Sequence, residues 1–224
     1  MPLLGKGVLA IWNGIAPEAE AAFVAWHVRE HIPERVGVPG FLRGRRYVAV
    51  EGEPKYFNFY ETESPSVLTS PAYVARLNAP SPWTREVVAH FRDTSRTVCD
   101  VVASLGEGEG GALETIRVQA AETEGFAERL EQILLRPLAE APGLVGAHLL
   151  RGRTDDSAGG SAEKALRSQP DEIADWIVLI EAVDIAALHA ARTGAASAAM
   201  LQRSGAAPGF RRGLYQLQFG LTKR

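Results

Sequence analysis

Lys55-Tyr-Phe-Asn-Phe-Tyr-Glu61 and Asp175-Trp-Ile-Val-Leu-Ile-Glu181 are the same kind of segment, an aromatic and β-branched run that closes on a glutamate. Such side chains fit a pleated, half-buried surface, so both stretches read as strands. Each follows a Pro-Gly pair, Pro39-Gly40 in one half and Pro142-Gly143 in the other, that opens a preceding strand. Working outward, Gly7 to Asn13 is a short β-rich run. Pro17 opens a helical stretch to about His31, which Pro33 is expected to end. A strand to about Val50, a turn over Gly52 to Pro54 and Lys55 to Thr62 make a hairpin. A helix near Ser70 to Leu77, a segment around Trp83 to Phe91 and a β-rich run from Arg96 to Leu105 complete the first half.

The second half repeats this order. Ala112 to Ala120 reads as strand, Thr123 to about Glu140 as helix, Pro142-Gly143 as the opening of the next strand, and Gly213 to Thr222 as the last strand. The expected fold class is α+β: two tandem ferredoxin-like βαββαβ repeats, residues 1–106 and 112–224, with antiparallel sheets packed face to face around a small cavity. The spacing between matched segments is longer in the second repeat. The excess falls at about Arg153 to Pro170, where Asp155, Asp156, Gly159 and Gly160 predict a mobile, dispensable hairpin loop.

Composition narrows the function classes. The 224 residues carry 24 Lys and Arg against 27 Asp and Glu, a net charge of −3, which supplies no field for a phosphate backbone and argues against nucleic acid. The hydrophobic share of 46% is that of a globular chain with an ample core. No run is long and apolar enough for a membrane span. Cys99 is the single cysteine, so no intramolecular disulfide forms. Met1 to Gly7 lacks the apolar stretch of a signal peptide, and a cytoplasmic protein is the expectation.

The order of elements, together with Trp26-His-Val-Arg-Glu-His-Ile-Pro-Glu-Arg35, Val38-Pro-Gly-Phe41 and Arg45-Arg-Tyr47, resembles the dimeric α+β barrel superfamily, and in local motif its poorly characterised EthD-like bacterial proteins. The resemblance covers the whole chain in topology and residues 26 to 61 in motif. It implies ferredoxin-like units paired sheet to sheet, as homodimers or as tandem repeats. It also implies a wide range of roles: cofactor-free monooxygenases, lactone isomerases, haem-dependent peroxidases and dismutases, and ligand-sensing domains.

Strand alternation separates Tyr56, Asn58 and Tyr60 from Phe57 and Phe59, and on the neighbouring strand groups Arg43, Arg45 and Tyr47. Assigning the phenyl face to the helices places the polar groups between the sheets, where Tyr47, Asn58 and Tyr60 would line the cavity. Buried amide and hydroxyl groups need partners, and the matched strand of the second repeat offers only Trp176, Val178 and Ile180. Water, a ligand or a mutual polar network must then satisfy them. The Glu30-His31 stretch corresponds to Leu134 and Leu135, so the site belongs mainly to the first repeat.

Other motifs lose their function in context. Gly106-Glu-Gly-Glu-Gly-Gly111 satisfies G-x-G-x-x-G, but a strand follows it and Glu107 and Glu109 repel phosphate, so it reads as a linker. His27-Val-Arg-Glu30-His31 matches H-x-x-E-H, yet Pro33 follows at once and no third-ligand motif stands out, so no metal is assigned. Cys99 reads as buried and inert, and Trp83 as a plug or a cap.

The resulting expectation is a small-molecule enzyme without a tightly bound cofactor, monooxygenase- or isomerase-like, acting on a modest hydrophobic or aromatic carbonyl compound. Tyr47, Asn58 and Tyr60 would orient the substrate, Arg45 would face an anion or enolate, and His31, at a helix C-terminal end that favours its cation, would carry the proton. The alternative is a non-catalytic metabolite-binding or scaffold protein. A haem enzyme, with His148 and His189 as axial ligands, is a third reading without a haem-specific motif.

Overall fold

In a computed structural model, which describes residues 3–154, 161–166 and 172–223, eight antiparallel strands close into one barrel with the helices outside it. The strands are β1 (Gly7–Ile15), β2 (Phe41–Glu51), β3 (Tyr56–Thr62), β4 (Phe91–Gly106), β5 (Ala112–Val118), β6 (Leu144–Arg153), β7 (Trp176–Ala182) and β8 (Arg211–Thr222). Around the barrel their order is β1-β3-β2-β8-β5-β7-β6-β4. Each half therefore contributes a four-stranded sheet, and the seams are β2 with β8 and β4 with β6. Closure pairs the edge strands of both halves within one chain, which removes the exposed ladders that open sheets must protect.

The Pro-Gly pairs occupy equivalent turns. Gly40 and Gly143 both have positive φ, +86° and +76°, and a Cβ there would collide with Val67 and Ala187 respectively. Glycine is needed at these points because an L side chain fits neither the conformation nor the space.

The first helix runs through Pro33 instead of ending before it. α1 (Glu20–Trp26) passes into a π-turn (His27–His31) and then α2 (Ile32–Gly37), with the Ile32 N–H bonded to the His27 carbonyl. A proline in an α-helix lacks one N–H and clashes with the carbonyl four residues back; the widened turn just before it relieves that clash. The second half does the same with α5 (Phe126–Leu130), a π-turn (Glu131–Leu135) and α6 (Arg136–Ala139), where Pro137 takes the place of Pro33. The remaining helices are α3 (Pro71–Asn78) and α4 (Pro82–Val88), capped by Ser70 and Ser81, and α7 (Ile185–Thr193) and α8 (Ala198–Arg203). Among the described residues no helix is long and apolar enough to cross a membrane.

Register overturns the expected assignment of faces. Phe57 and Phe59 point into the barrel, where they pack with Trp12, Tyr47, Leu150, Ile177, Leu179 and Tyr215. Tyr56, Asn58 and Tyr60 point outward, under the helices of the first half. The large apolar side chains fill the barrel, so the inter-sheet cavity expected from the sequence is a packed core. Alternation had paired the residues correctly; it carries no information about which face closes on the other sheet.

The glycine-rich linker is structural. Gly110 N–H donates to Glu181 at 3.0 Å, and Leu4 N–H donates to Glu61 at 2.7 Å, so the entries to β5 and β1 cap matched glutamates. The expected loop over 153–170 is described only in part, since 155–160 and 167–171 lie outside the described residues. Its described segment, 161–166, packs on the first half: Glu163 N–H donates to the Leu77 carbonyl at 3.0 Å, Ala162 N–H to Asn78 Oδ1 at 3.2 Å, and Glu163 pairs with Arg35. The described part of the insertion is therefore packed as a wall of the first half, where a loose loop was expected.

Candidate functional site

A small enclosed cavity with polar groups lies between the β1–β3–β4 sheet and the helices of the first half. It measures about 50 Å³, and its wall includes Leu9, Ile11, Trp26, His27, His31, Arg35, Asn58, Tyr60, Tyr73 and Arg96, with Ser161 and Glu163 arriving from the second half. A water needs roughly 10–15 Å³ of such space, so the cavity as it stands holds a few waters, and a short-chain ligand must displace them and move the wall.

The kinked helix supplies the imidazoles. The π-turn brings His27 and His31 onto the face over β3, stacked at 5.3 Å between centroids and 17° between planes, with Trp26 packed 4.2 Å from His31. Both are buried, at 2% and 7% exposure. Burial holds both pKa values well below the ordinary histidine range, and the positive charges of Arg46 and Arg35 at His27, and of Arg35 at His31, push the same way. They are neutral bases at neutral pH, not the helix-terminal cation expected of His31, because the helix does not end there.

Strand β3 supplies the facing polar groups. Tyr60 Oη lies 3.3 Å from His27 Nε2, and burial raises its pKa, so it is a neutral phenol. If Tyr60 donates to Nε2, the proton of neutral His27 is on Nδ1. Asn58 donates to Asn13 Oδ1 at 2.7 Å. Three buried polar atoms of the wall are left without a protein partner: His27 Nδ1, His31 Nδ1 and Asn58 Oδ1. Each such atom costs about 1–3 kcal/mol unless water or a ligand satisfies it.

Of the five residues expected to form the site, the structure brings together His31, Asn58 and Tyr60. Arg45 and Tyr47 lie on the opposite face, inside the barrel, because they pair with Phe59 and Phe57 across the hairpin. Arg45 binds Glu181 through Nη1 at 3.0 Å and Glu61 through Nη2 at 3.2 Å, and its guanidinium lies over the Phe59 ring. Tyr47 is fully buried beside it, and burial raises its phenol pKa. Burial opposes the charge on Glu181, but His148, 3.4 Å away, and the hydrogen-bonded Arg45 guanidinium bring its pKa down to about 2. This cluster is a compensated ion network that joins the two halves.

The rejected motifs find structural roles. Glu30 turns away from the histidines and accepts from Ser81 and Thr84 at the start of α4. Cys99 is buried in the barrel core, which raises its thiol pKa. Trp83 packs half-buried against the cluster of Phe23, Trp26, Tyr56, Val87 and Val88. Haem does not fit the two histidines once considered for it. His148 is wholly buried inside the barrel, bonded to Ser104 at 3.0 Å and beside Glu181, whereas His189 is exposed on α7 and pairs with Glu51. Sequence reasoning missed His27 as a site residue, along with Arg35, Tyr73 and Arg96. The recurrence of proline at 33 and 137 was the available signal that the helix continues and turns both histidines onto one face.

These features define the fold as a dimeric α+β barrel of ferredoxin-like units, in its single-chain tandem form. Comparison with solved structures gives the same result: an anthrone oxidase-like protein has a TM-score of 0.65 at 16% identity, over 97% of this chain and 92% of that one. A proposed monooxygenase from Fusobacterium nucleatum has a TM-score of 0.64 at 12% identity, over 99% and 96%. A proposed monooxygenase from Lactobacillus acidophilus has a TM-score of 0.62 at 8% identity, over 97% of each chain. No family model and no curated protein matches the sequence. At these identities the likeness is one of fold.

Proposed function

We propose that the chain is a small-molecule enzyme that works by proton transfer in the first-half pocket, on a carbonyl compound with a short apolar body. The observation that carries this is the pair of neutral, stacked imidazoles whose Nδ1 atoms lack protein partners, in a cavity that also holds Asn58 Oδ1. Burial and Arg35 keep His31 unprotonated at neutral pH but weaken it as a base, so proton uptake depends on pairing the imidazolium with the enolate formed beside it. His31 takes a proton from the carbon next to the carbonyl, and the C–H electron pair moves onto the carbonyl oxygen as an enolate. The His27 Nδ1–H is the donor for that oxygen, and the nearby arginine charges favour the negative form. Return of the proton to a different carbon completes an isomerisation. With dioxygen as the oxidant, the same enolate leads from a methylene to a carbonyl, with water as the other product, the outcome that the name anthrone oxidase-like suggests for a fold relative.

Proton exchange in deuterium oxide tests this directly. The protein is expected to speed loss of the α-proton NMR signal from at least one short ketone or 1,3-dicarbonyl, and His31→Gln to slow it about 100-fold or more. A ketone that binds without exchange assigns the pocket to binding alone. If no ketone binds and Asn58→Leu unfolds the chain, the polar wall is structural and the enzyme reading falls.

A further inference from the structure

The cavity holds two arginines in different electrostatic states. Arg35, 2% exposed, is paired with Glu163 and Glu34. Arg96 makes a hydrogen bond from Nη2 to Tyr73 Oη at 3.3 Å and has no carboxylate within ion-pair distance among the described residues. The arginines of the barrel interior and its rim behave like Arg35: Arg43 and Arg45 bind Glu61, and Arg192 and Arg212 bind Glu114. Arg96 differs from these arginines in having no carboxylate partner among the described residues.

Its place in the sheet is defined by register. Ile11 pairs with Asn58 on one side and with Arg96 on the other, so Asn58, Ile11 and Arg96 form one row across β3, β1 and β4 and share the helix-facing side. Neighbouring strands lie about 4.8 Å apart, which sets the row's ends roughly 10 Å from each other. A molecule spanning that row meets an amide at one end, an aliphatic side chain in the middle and a planar cation at the other. Guanidinium is suited to carboxylate because its parallel N–H groups match the two oxygens, and here a phenol stands beside it as a further hydrogen-bonding group.

Resting on the proton-transfer reading of this pocket, we infer that the substrate is an oxo acid whose carboxylate is held by Arg96 and Tyr73 while its carbonyl end reaches Asn58 and the histidines. Arg96 is then a binding residue that selects the acid over neutral ketones.

The test uses the full chain and a matched pair of probes, 4-oxopentanoate and 4-oxopentanamide, titrated by NMR. The acid is expected to bind at least tenfold more tightly than the amide. Arg96→Gln should remove that preference while leaving amide binding unchanged, and Arg96→Lys should restore part of it. Equal affinities for acid and amide, or a preference that survives Arg96→Gln, overturn the inference; if both probes are then lost in Asn58→Leu, the pocket reading still stands. Failure of both probes to bind the wild-type chain overturns the inference, and the pocket reading falls with it only if no other short ketone binds. An Arg96→Gln chain that loses its fold is replaced by Tyr73→Phe, which should weaken the acid and leave the amide unaffected; no change in acid binding counts against the assignment.

Discussion

The two halves of the barrel have the same kinked helix over the same strands, yet what lies beneath the helix differs. In the first half the interface holds His27, His31, Asn58 and Tyr60 around a cavity, with three buried polar atoms lacking protein partners. In the second half, Leu130, Leu134, Leu135, Val178 and Ile180 fill the corresponding space, each fully buried. One duplicated frame therefore serves two purposes. The leucine side stabilises through apolar burial, and the histidine side leaves polar capacity available to a ligand at some expense in stability.

Exchanging residues between the halves is the strongest way to break this comparison. Leu135→His loses apolar burial and leaves an imidazole unpaired in a dry cluster, so it should cost about 4–6 kcal/mol in urea unfolding. The reciprocal His31→Leu should stay within about 1 kcal/mol of wild type, because it removes a buried polar atom that has no partner. Similar losses for both would mean that the two interfaces are alike after all.

A second test addresses the network the halves share. Arg45→Met leaves Glu61 and Glu181 buried and undercompensated in the barrel, and should cost about 3–5 kcal/mol in the same assay. Glu181 also has a low folded pKa, about 2. Its contribution is complete above the ordinary carboxylate pKa of about 4.5 and is lost as pH falls toward 2, so acid should unfold wild type in that window and Arg45→Met at higher pH.

Titration sharpens the contrast further. Both histidines have folded pKa values below the ordinary range, so as pH falls the unfolded chain takes up their protons first. Their stabilisation is complete above about pH 6.5 and declines below it, by up to about 1.4 kcal/mol per pH unit for each group. His31→Leu should roughly halve the slope of stability between pH 6 and 5. An unchanged slope would place the titrating groups elsewhere.

The smallest expected effect concerns the segment that the second half lends to the first. Glu163→Gln leaves Arg35 with Glu34, so unfolding stability should fall by about 1 kcal/mol. Hydrogen exchange at the Ala162 and Glu163 amides should nevertheless speed up at least tenfold, because the ion pair fastens that segment beside α3. Unaltered exchange would show that backbone contacts alone hold it.

Much of the frame was legible in order and spacing. The matched hairpin strands and Pro-Gly pairs announced a duplication, since turn geometry and strand alternation are local properties. Parity also grouped Asn58 with Tyr60 and Arg45 with Tyr47. It did not tell which group faced the other sheet, and that single choice moved the candidate site from the barrel interior to the helix side. Pro33 was misleading for a similar reason: proline is a strong local signal, but the π-turn that accommodates it depends on how the helix packs.

The amino-acid sequence by itself determined the α+β repeat, the strand faces as pairs, the linker between halves, and the asymmetry by which polar residues of the first half correspond to apolar residues of the second. These follow from propensity, periodicity and composition, which act over a few residues. Only the tertiary structure decided that the phenyl groups fill the barrel, that Arg45 answers Glu181 across the halves, that His27 joins His31, and that Arg96 ends the row through Asn58. Those facts depend on strand register and barrel closure, where residues far apart in the chain compete for the same space and the same charge.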